Sequence, residues 1–331
     1  MATLIATNPT LADVASRLTA DGKIDPNIVE MLSETNEMLD DITMIEANGF
    51  TEHKTTVRSG LPSATWRKLN YGVPPSKSKT VPVKDSLGML ETYAEVDKAL
   101  ADLNGNSAAW RLSEDRAFIE GMNQDAASTI FYGDSSLDPE KFTGLAPRYN
   151  SLSAENGMNI VDAGGTGSDN ASIWLVVWGP NTCHAIYPKG SPAGLQARDL
   201  NEHTLIDEAG GRYQGYRTHY KWDMGLTLRD WRYVVRIANI DMSDLTKNGA
   251  TGADLVDLMT QAVELVPNLG MGRPGFYMNR KLRSFLRRQI TNKVAASTLT
   301  MEQVAGKKVV SFDGIPCRRV DKLLATEARV V

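Results

Sequence analysis

Between Phe50 and Val83 lies a stretch of more than thirty residues that can be neither a helix nor an ordinary connector. Ser, Pro and Gly recur along it, and the Pro74-Pro75 pair removes two backbone donors and forbids helical turns there. Loops of this length in a folded chain usually bind something or are disordered. Trp66, Leu69 and Tyr71 argue against disorder, because a solvated linker rarely carries aromatics. The stretch reads as an extended loop or long hairpin that docks on another surface.

Its charge points the same way. From Lys54 to Lys84 there are seven basic residues, Lys54, Arg58, Arg67, Lys68, Lys77, Lys79 and Lys84, and no acid. From Met1 to Glu52 there are ten acidic residues against two basic ones, Arg17 and Lys23. The overall net charge of −4 conceals this segregation. Opposite segments attract, so the basic stretch is suited to lie over an acidic one, in its own chain or in a neighbour. Two ordinary solvated faces would give the same count.

The acidic segment opens with residues to about Asp25 that have little periodic apolar pattern and read as a loosely ordered arm. A helix is then predicted, with Asp25 as N-cap and Pro26 in its first turn. Ile28, Met31, Leu32, Thr35, Leu39, Ile42 and Ile45 recur at helical spacing on one face. A second helix is predicted from Ser107 to Phe131, with Trp110, Phe118, Met122, Ala126 and Ile130 on one stripe and Gly133 as its stop. At 1.5 Å per residue it would be a rod of roughly 38 Å.

Beyond it the pattern turns to strands. Ile173–Trp178, a Gly179-Pro180-Asn181-Thr182 turn and Cys183–Tyr187 suggest a hairpin. Apolar residues from Tyr216 to Leu228 alternate with Arg217, His219, Lys221, Asp223, Thr227 and Arg229, the period of a strand with one buried face, and Gly210-Gly211 supplies the turn before it. Tyr233–Ile240 continues as strand, Thr251–Val266 returns to helix and Pro267 ends it. A basic helix, Asn279–Ile290, precedes two strands, Lys307–Phe312 and Ile315–Val320, joined by Asp313-Gly314. Long helices beside antiparallel strand groups, without regular strand-helix alternation, make an α+β fold.

Chemistry is sparse. Gly164-Gly165-Thr166-Gly167 has no strand leading into it and no Lys at nucleotide-binding spacing, so a surface loop is the reading. Cys183 and His184 are chain neighbours in a strand and point to opposite faces. Cys183 and Cys317 read as buried reduced thiols. His53, His203 and His219 lack partners at metal-ligand spacing and read as strand-surface histidines. No catalytic residue, metal or cofactor is expected. The basic helix residues Arg280, Lys281, Arg283, Arg287 and Arg288 suit non-specific contact with DNA phosphates, or simply a solvated face. No apolar run approaches the about 20 residues of a bilayer crossing, and Met1–Thr10 lacks the pattern of a cleaved signal. A cytoplasmic product with no membrane partner is the expectation.

The order of parts, from acidic helix and basic loop through long helix and β-rich middle to a closing helix with strands, resembles the major capsid proteins of tailed phages, the Hong Kong 97-type fold. More specific strings are Trp178-Gly179-Pro180-Asn181-Thr182, Tyr187-Pro188-Lys189-Gly190-Ser191, Gly211-Arg212-Tyr213-Gln214-Gly215-Tyr216, Arg229-Asp230-Trp231-Arg232, Arg236-Ile237-Ala238-Asn239-Ile240 and Tyr277-Met278-Asn279-Arg280. They look like the podovirus capsid family of the epsilon-fifteen type, over nearly the full chain. The resemblance implies an N-terminal arm and acidic helix (1–48), an extended E-loop (49–92), a spine helix region (93–133), an axial domain and β-rich core (134–266) and the rest of a peripheral domain (267–331). The segment like Tyr277–Ile290 follows the β-rich block here and precedes it in the commoner capsid order, so altered strand connectivity is expected.

A capsid reading implies a virion subunit, assembled in the host cytoplasm, that joins copies of itself as hexamers and pentamers around double-stranded DNA. A portal protein is an expected partner, with a cement or decoration protein and a scaffold as further ones. The expected contacts set Lys54, Arg58, Trp66, Arg67, Lys68, Leu69, Tyr71, Lys77, Lys79 and Lys84 of one copy against Glu30, Glu34, Glu37, Asp40 and Asp41 of the next. Covalent crosslinking between subunits is not predicted. The rival readings are an encapsulin-like cellular nanocompartment shell and a soluble enzyme with a lid at Phe50–Val83.

Overall fold

The computed structural model describes residues 34, 36–103, 107–207, 209–246, 252–292, 299–304 and 307–331. They fall into two compact units. The larger takes in 36–88, 127–193 and 224–331, and the smaller has 89–126 and 194–223 among its described parts.

The larger unit is organised around β5 (Asn170–Trp178), in which every residue is buried. Its apolar run Ile173–Trp178 belongs at the centre of a sheet covered on both faces. Its antiparallel neighbours are β9 (Val234–Asp241) on one side and β10 (Arg273–Met278) on the other. β10 pairs in parallel with β13 (Ile315–Arg319), which continues to β12 (Lys307–Phe312) and β11 (Leu299–Val304). β4 (Ile160–Asp162) runs parallel to β9. The apolar side chains of α4 (Leu255–Leu265) and α5 (Arg280–Asn292), among them Leu255, Met259, Leu282 and Leu286, share one core with Ile173, Leu175, Val235, Ile237 and Phe276. Asp254 caps α4 by accepting from the Asp257 amide, and Asn279 accepts from the Leu282 amide at the start of α5.

Two expected elements differ. The predicted helix over residues 26–45 lies outside the described residues at 26–33 and 35, but its end is visible. A single turn, α1 (Met38–Asp41), stops where Ile42 adopts extended backbone, and Met44–Glu46 forms β1, parallel to β6 (Cys183–Tyr187). Ile42 and Ile45 therefore do not continue a helical stripe; pairing with an open strand edge outweighs local periodicity. The predicted β5–β6 hairpin is the second correction. Its turn forms, with the Gly179 amide bonded to the Cys183 carbonyl and the Thr182 amide to that of Gly179. The strands then part, sharing one bridge at Trp178 and Cys183, because β5 is taken up by β9 and β10 and β6 pairs antiparallel with residues 225–228 of β8 (Arg212–Leu228).

The basic stretch is a hairpin, β2 (Glu52–Gly60) against β3 (Lys79–Asp97), with a non-strand tip between them. The Asp313-Gly314 turn joins β12 and β13 as expected, with φ of 51° and 75° at its two central residues, the signature of a type I′ turn. In the glycine loop, Gly165 is buried beside the Asn239 carbonyl, so part of that loop is packed.

The smaller unit contains the far half of β3, α2 (Lys98–Ala101), residues 107–126 of α3 (Ser107–Tyr132), and β7 (Gln196–Ile206) paired antiparallel with β8. Val96 and Ala101 form a small cluster with Leu100 and Tyr216. Around it charges pair, Arg217 with Glu95 at 2.5 Å, Lys98 with Glu202 at 2.6 Å and Arg111 with Asp199 at 2.6 Å, and the His219 ring, stacked on Tyr93, has Nε2 3.2 Å from the Glu91 carboxylate.

Candidate assembly surface

The β2–β3 hairpin changes character along its length. At its root three polar side chains are buried, His53, Thr55 and Asp85. His53 and Asp85 are directly opposed in the ladder, and the Leu87 amide bonds to the Thr51 carbonyl. Arg148, in a 3-10 turn at Ala146–Tyr149, clamps Asp85 at 2.9 Å and also donates to the carbonyls of Thr143, Gly144 and Leu226. A buried carboxylate without such a partner would be costly, so this ion pair fixes where the hairpin leaves the core.

Farther out, Lys54 and Lys84 face each other across the ladder with Glu52 between them, at 2.6 Å and 3.9 Å. That pairing holds the Glu52 carboxyl below its ordinary range, chiefly through the hydrogen bond from Lys54. Arg58 and Lys79 lie on the outer rungs, and from residue 61 to residue 77 every side chain is exposed. Trp66 is 101% exposed, Leu69 86% and Tyr71 70%, with Leu61 and Val73 also open. The tip is nevertheless shaped. Ser76 Oγ donates to the Ser63 carbonyl across its neck, and the Tyr71 amide bonds to the Lys68 carbonyl around Asn70, whose φ is 67°. Arg58, Arg67, Lys68, Lys77 and Lys79 form no ion pair among the described residues. A large apolar group displayed beside unpaired cations marks a binding surface better than it does a solvated loop.

Of the acidic residues matched to this strap, Glu30 lies outside the described residues. Glu34 has its amide bonded to Glu120. Glu37 and Asp41 are engaged in their own chain: Glu37 accepts from the Arg319 amide at 3.0 Å with Arg283 at 4.0 Å, and Asp41 takes a two-pronged contact from Arg318 at 2.9 Å plus the Tyr277 hydroxyl at 3.1 Å. The Arg318 guanidinium, though half-buried, is held more basic than usual by that contact. Asp40 is exposed. On α5, Arg280 pairs with Asp321 and Arg288 lies 5.2 Å from the Phe285 ring, while Lys281, Arg287 and Arg288 are exposed on the outer face. Arg283 is half-buried against Glu37. The chain thus brings the strap cations together in one hairpin and keeps them apart from the α5 cations, which sit on a separate element.

Sequence reasoning missed the root. His53 is buried and not a surface histidine, since the alternation of β2 turns residues 53 and 55 inward. His203 is exposed as expected. Cys183 and Cys317 are free and buried, and burial pushes both thiols up to about 12. Among the described residues no three or more His, Cys, Asp or Glu are grouped to hold a metal, and no helix is long and apolar enough to cross a membrane.

A mixed sheet with a long helix and an exposed basic hairpin is the arrangement that the resemblance to capsid proteins of the Hong Kong 97 type led us to expect. The solved structure of bacteriophage Epsilon15 contains a chain 41% identical to this one, covering 100% of it and 99% of that chain, with a TM-score of 0.78. The capsid of bacteriophage JBD30 matches in fold at 10% identity, covering 95% of this chain and 99% of that one, with a TM-score of 0.51. An encapsulin from Synechococcus elongatus PCC 7942 is 12% identical, covering 70% of this chain and 96% of that one, with a TM-score of 0.46. No curated protein matches significantly. The family model for the major capsid protein GP7 matches residues 19–331, and the chain belongs to that family.

Proposed function

We propose that this protein forms the icosahedral head of a tailed double-stranded DNA phage, closing as hexamers and pentamers, and acts there as a structural subunit without catalysis. The observation that carries the reading is the exposed, shaped tip of the β2–β3 hairpin, in a chain 41% identical over its full length to one in the Epsilon15 particle. The hairpin reaches over a neighbouring copy and buries Trp66, Leu69 and Tyr71 there, while Arg58, Arg67, Lys68, Lys77 and Lys79 meet carboxylates. Each such contact is modest, and closure of the shell multiplies them. Because Glu37 and Asp41 are occupied within the chain, Asp40 is, among the described members of the acidic set, the one most open to an incoming cation.

In this reading residues 1–48 are the arm and acidic segment, 49–92 the E-loop, 93–133 the spine region, 134–266 the axial domain and core, and 267–331 the remainder of the peripheral domain. The outer face of α5, with Lys281, Arg287 and Arg288, offers sequence-independent contact to packaged DNA, assisted by Arg280 and Arg283. A portal protein, a scaffold and a cement protein complete the particle. Purified particles from infected cells should hold nuclease-resistant double-stranded DNA; shells that instead carry an enzyme cargo and no DNA would point to a cellular nanocompartment and overturn the phage reading.

A further inference from the structure

The hairpin is attached to the core through polar groups. Among the described side chains between residues 49 and 86 the buried ones are His53, Thr55 and Asp85, and no large apolar side chain is fully buried. An attachment that lacks an apolar anchor depends on the charge state of its polar ones.

His184, in β6, stands edge-on to His53 with ring centroids 6.1 Å apart, and it is completely buried. Neither of its ring nitrogens makes an aligned hydrogen bond among the described residues, although the Gly179 carbonyl is close by. His53 Nδ1 accepts from the Asn48 amide at 3.2 Å, and its Nε2 is buried without a partner. The charged groups around the two rings are Arg229, facing both, Asp85, facing His53, and Arg148, which neutralises Asp85. The Cys183 thiol adjoins Asp85 and Arg148 and stays protonated. A proton on His184 would thus enter a site that already holds two guanidinium groups and one carboxylate whose Oδ1 is taken by Arg148, while Asp85 Oδ2, without a partner among the described residues, offsets part of the cost at His53.

We propose that the His53–His184 pair is an acid-sensitive latch, which keeps the root of the β2–β3 hairpin seated while both rings are neutral and unseats it when they take up protons. The pair serves this chain's own hairpin, and the inference does not depend on what the tip binds.

The pH window follows from the burial of the rings. Burial, with Arg229 second, pulls His184 from its ordinary 6.5 to about 4, and burial pulls His53 down as well. An opened root exposes both to water. The closed state therefore loses stability as pH falls below 6.5, with the loss levelling off near the folded value. For His184 alone, root opening should rise on the order of 25-fold between pH 7.5 and pH 5.

Hydrogen exchange on the purified full-length protein, corrected for intrinsic rates and read on peptides spanning 50–60 and 79–88, measures that opening. Wild type should show the rise below pH 6.5, His184→Gln should remove most of it, and Arg229→Gln, by relieving the repulsion that holds the folded His184 down, should shrink the rise and make it level off at a higher pH. The second variant serves if His184→Gln fails to fold. Root exchange that is independent of pH in wild type, or a rise unchanged in the variants that fold, would overturn the latch.

Discussion

The Arg236 guanidinium meets the Glu327 carboxylate at 2.8 Å, in the core of the larger unit, with both side chains almost wholly buried. Arg236 also donates to Ser172 Oγ and the Tyr149 carbonyl, and lies 5.1 Å from the Trp174 ring. Glu327 accepts from Ser172 and from the Tyr132 hydroxyl. Burial, helped by Glu327, pushes the Tyr132 phenol far above its ordinary range, so it remains a donor. Asn239 exchanges two bonds with the Val330 backbone, so the last residues are pinned to β9.

Glu327→Ala leaves Arg236 as an uncompensated buried charge and strips Tyr132 and Ser172 of an acceptor. It should cost on the order of 3–5 kcal/mol in denaturant unfolding. A loss under about 1 kcal/mol would show that the network is not holding the tail.

Arg148→Met removes the clamp on Asp85 and should destabilise by about 3 kcal/mol, since the carboxylate and three carbonyls lose a donor. Exchange protection should fall first in the hairpin root. Loss spread evenly over β5 and β9 would contradict the assignment of Arg148 as the hairpin's anchor.

Cys183 and Cys317, with thiols pushed up to about 12, present almost no thiolate at pH 8. Neither should react with an aromatic disulfide reagent in the native protein, and both should react once the chain is unfolded. Rapid labelling of either in the folded state would refute the burial.

Gly314→Ala forces a Cβ onto a residue with φ of 75° and should cost about 1 kcal/mol, without disturbing neighbouring packing, because open space surrounds that site. Thermal unfolding compares the two proteins. An unchanged midpoint would argue against the I′ turn between β12 and β13.

The elements legible from sequence were those whose burial follows one period. β5 carries the apolar run Ile173–Trp178, α3 carries Met122, Ala126 and Ile130 inward, and Asp313-Gly314 forms its turn; β8 alternates in sequence, but its stretch from Trp222 to Thr227 is buried on both faces, Asp223 and Thr227 included. β7 was invisible because its residues are largely exposed and charged on both faces, so its strand state comes from pairing with β8 and not from its own pattern. The parting of β5 and β6 was hidden for a related reason: a local turn signal says nothing about which distant strands compete for the edges. In the candidate surface, the tip was readable from Trp66 and its cations, whereas Glu37 and Asp41 looked like free carboxylates until folding brought Arg318 and Arg319 to them from 277 and 282 residues away.

Central to the account is a hairpin whose cations and aromatics grip another copy of the same chain. Arg58→Glu, Arg67→Glu and Lys68→Glu together alter only exposed side chains, so the subunit should keep its folded stability. Negative-stain microscopy of wild type and this triple variant, purified side by side, is the direct measurement. Closed shells from wild type with only small soluble species from the variant are the predicted result; shells of normal size and number from the variant would contradict it.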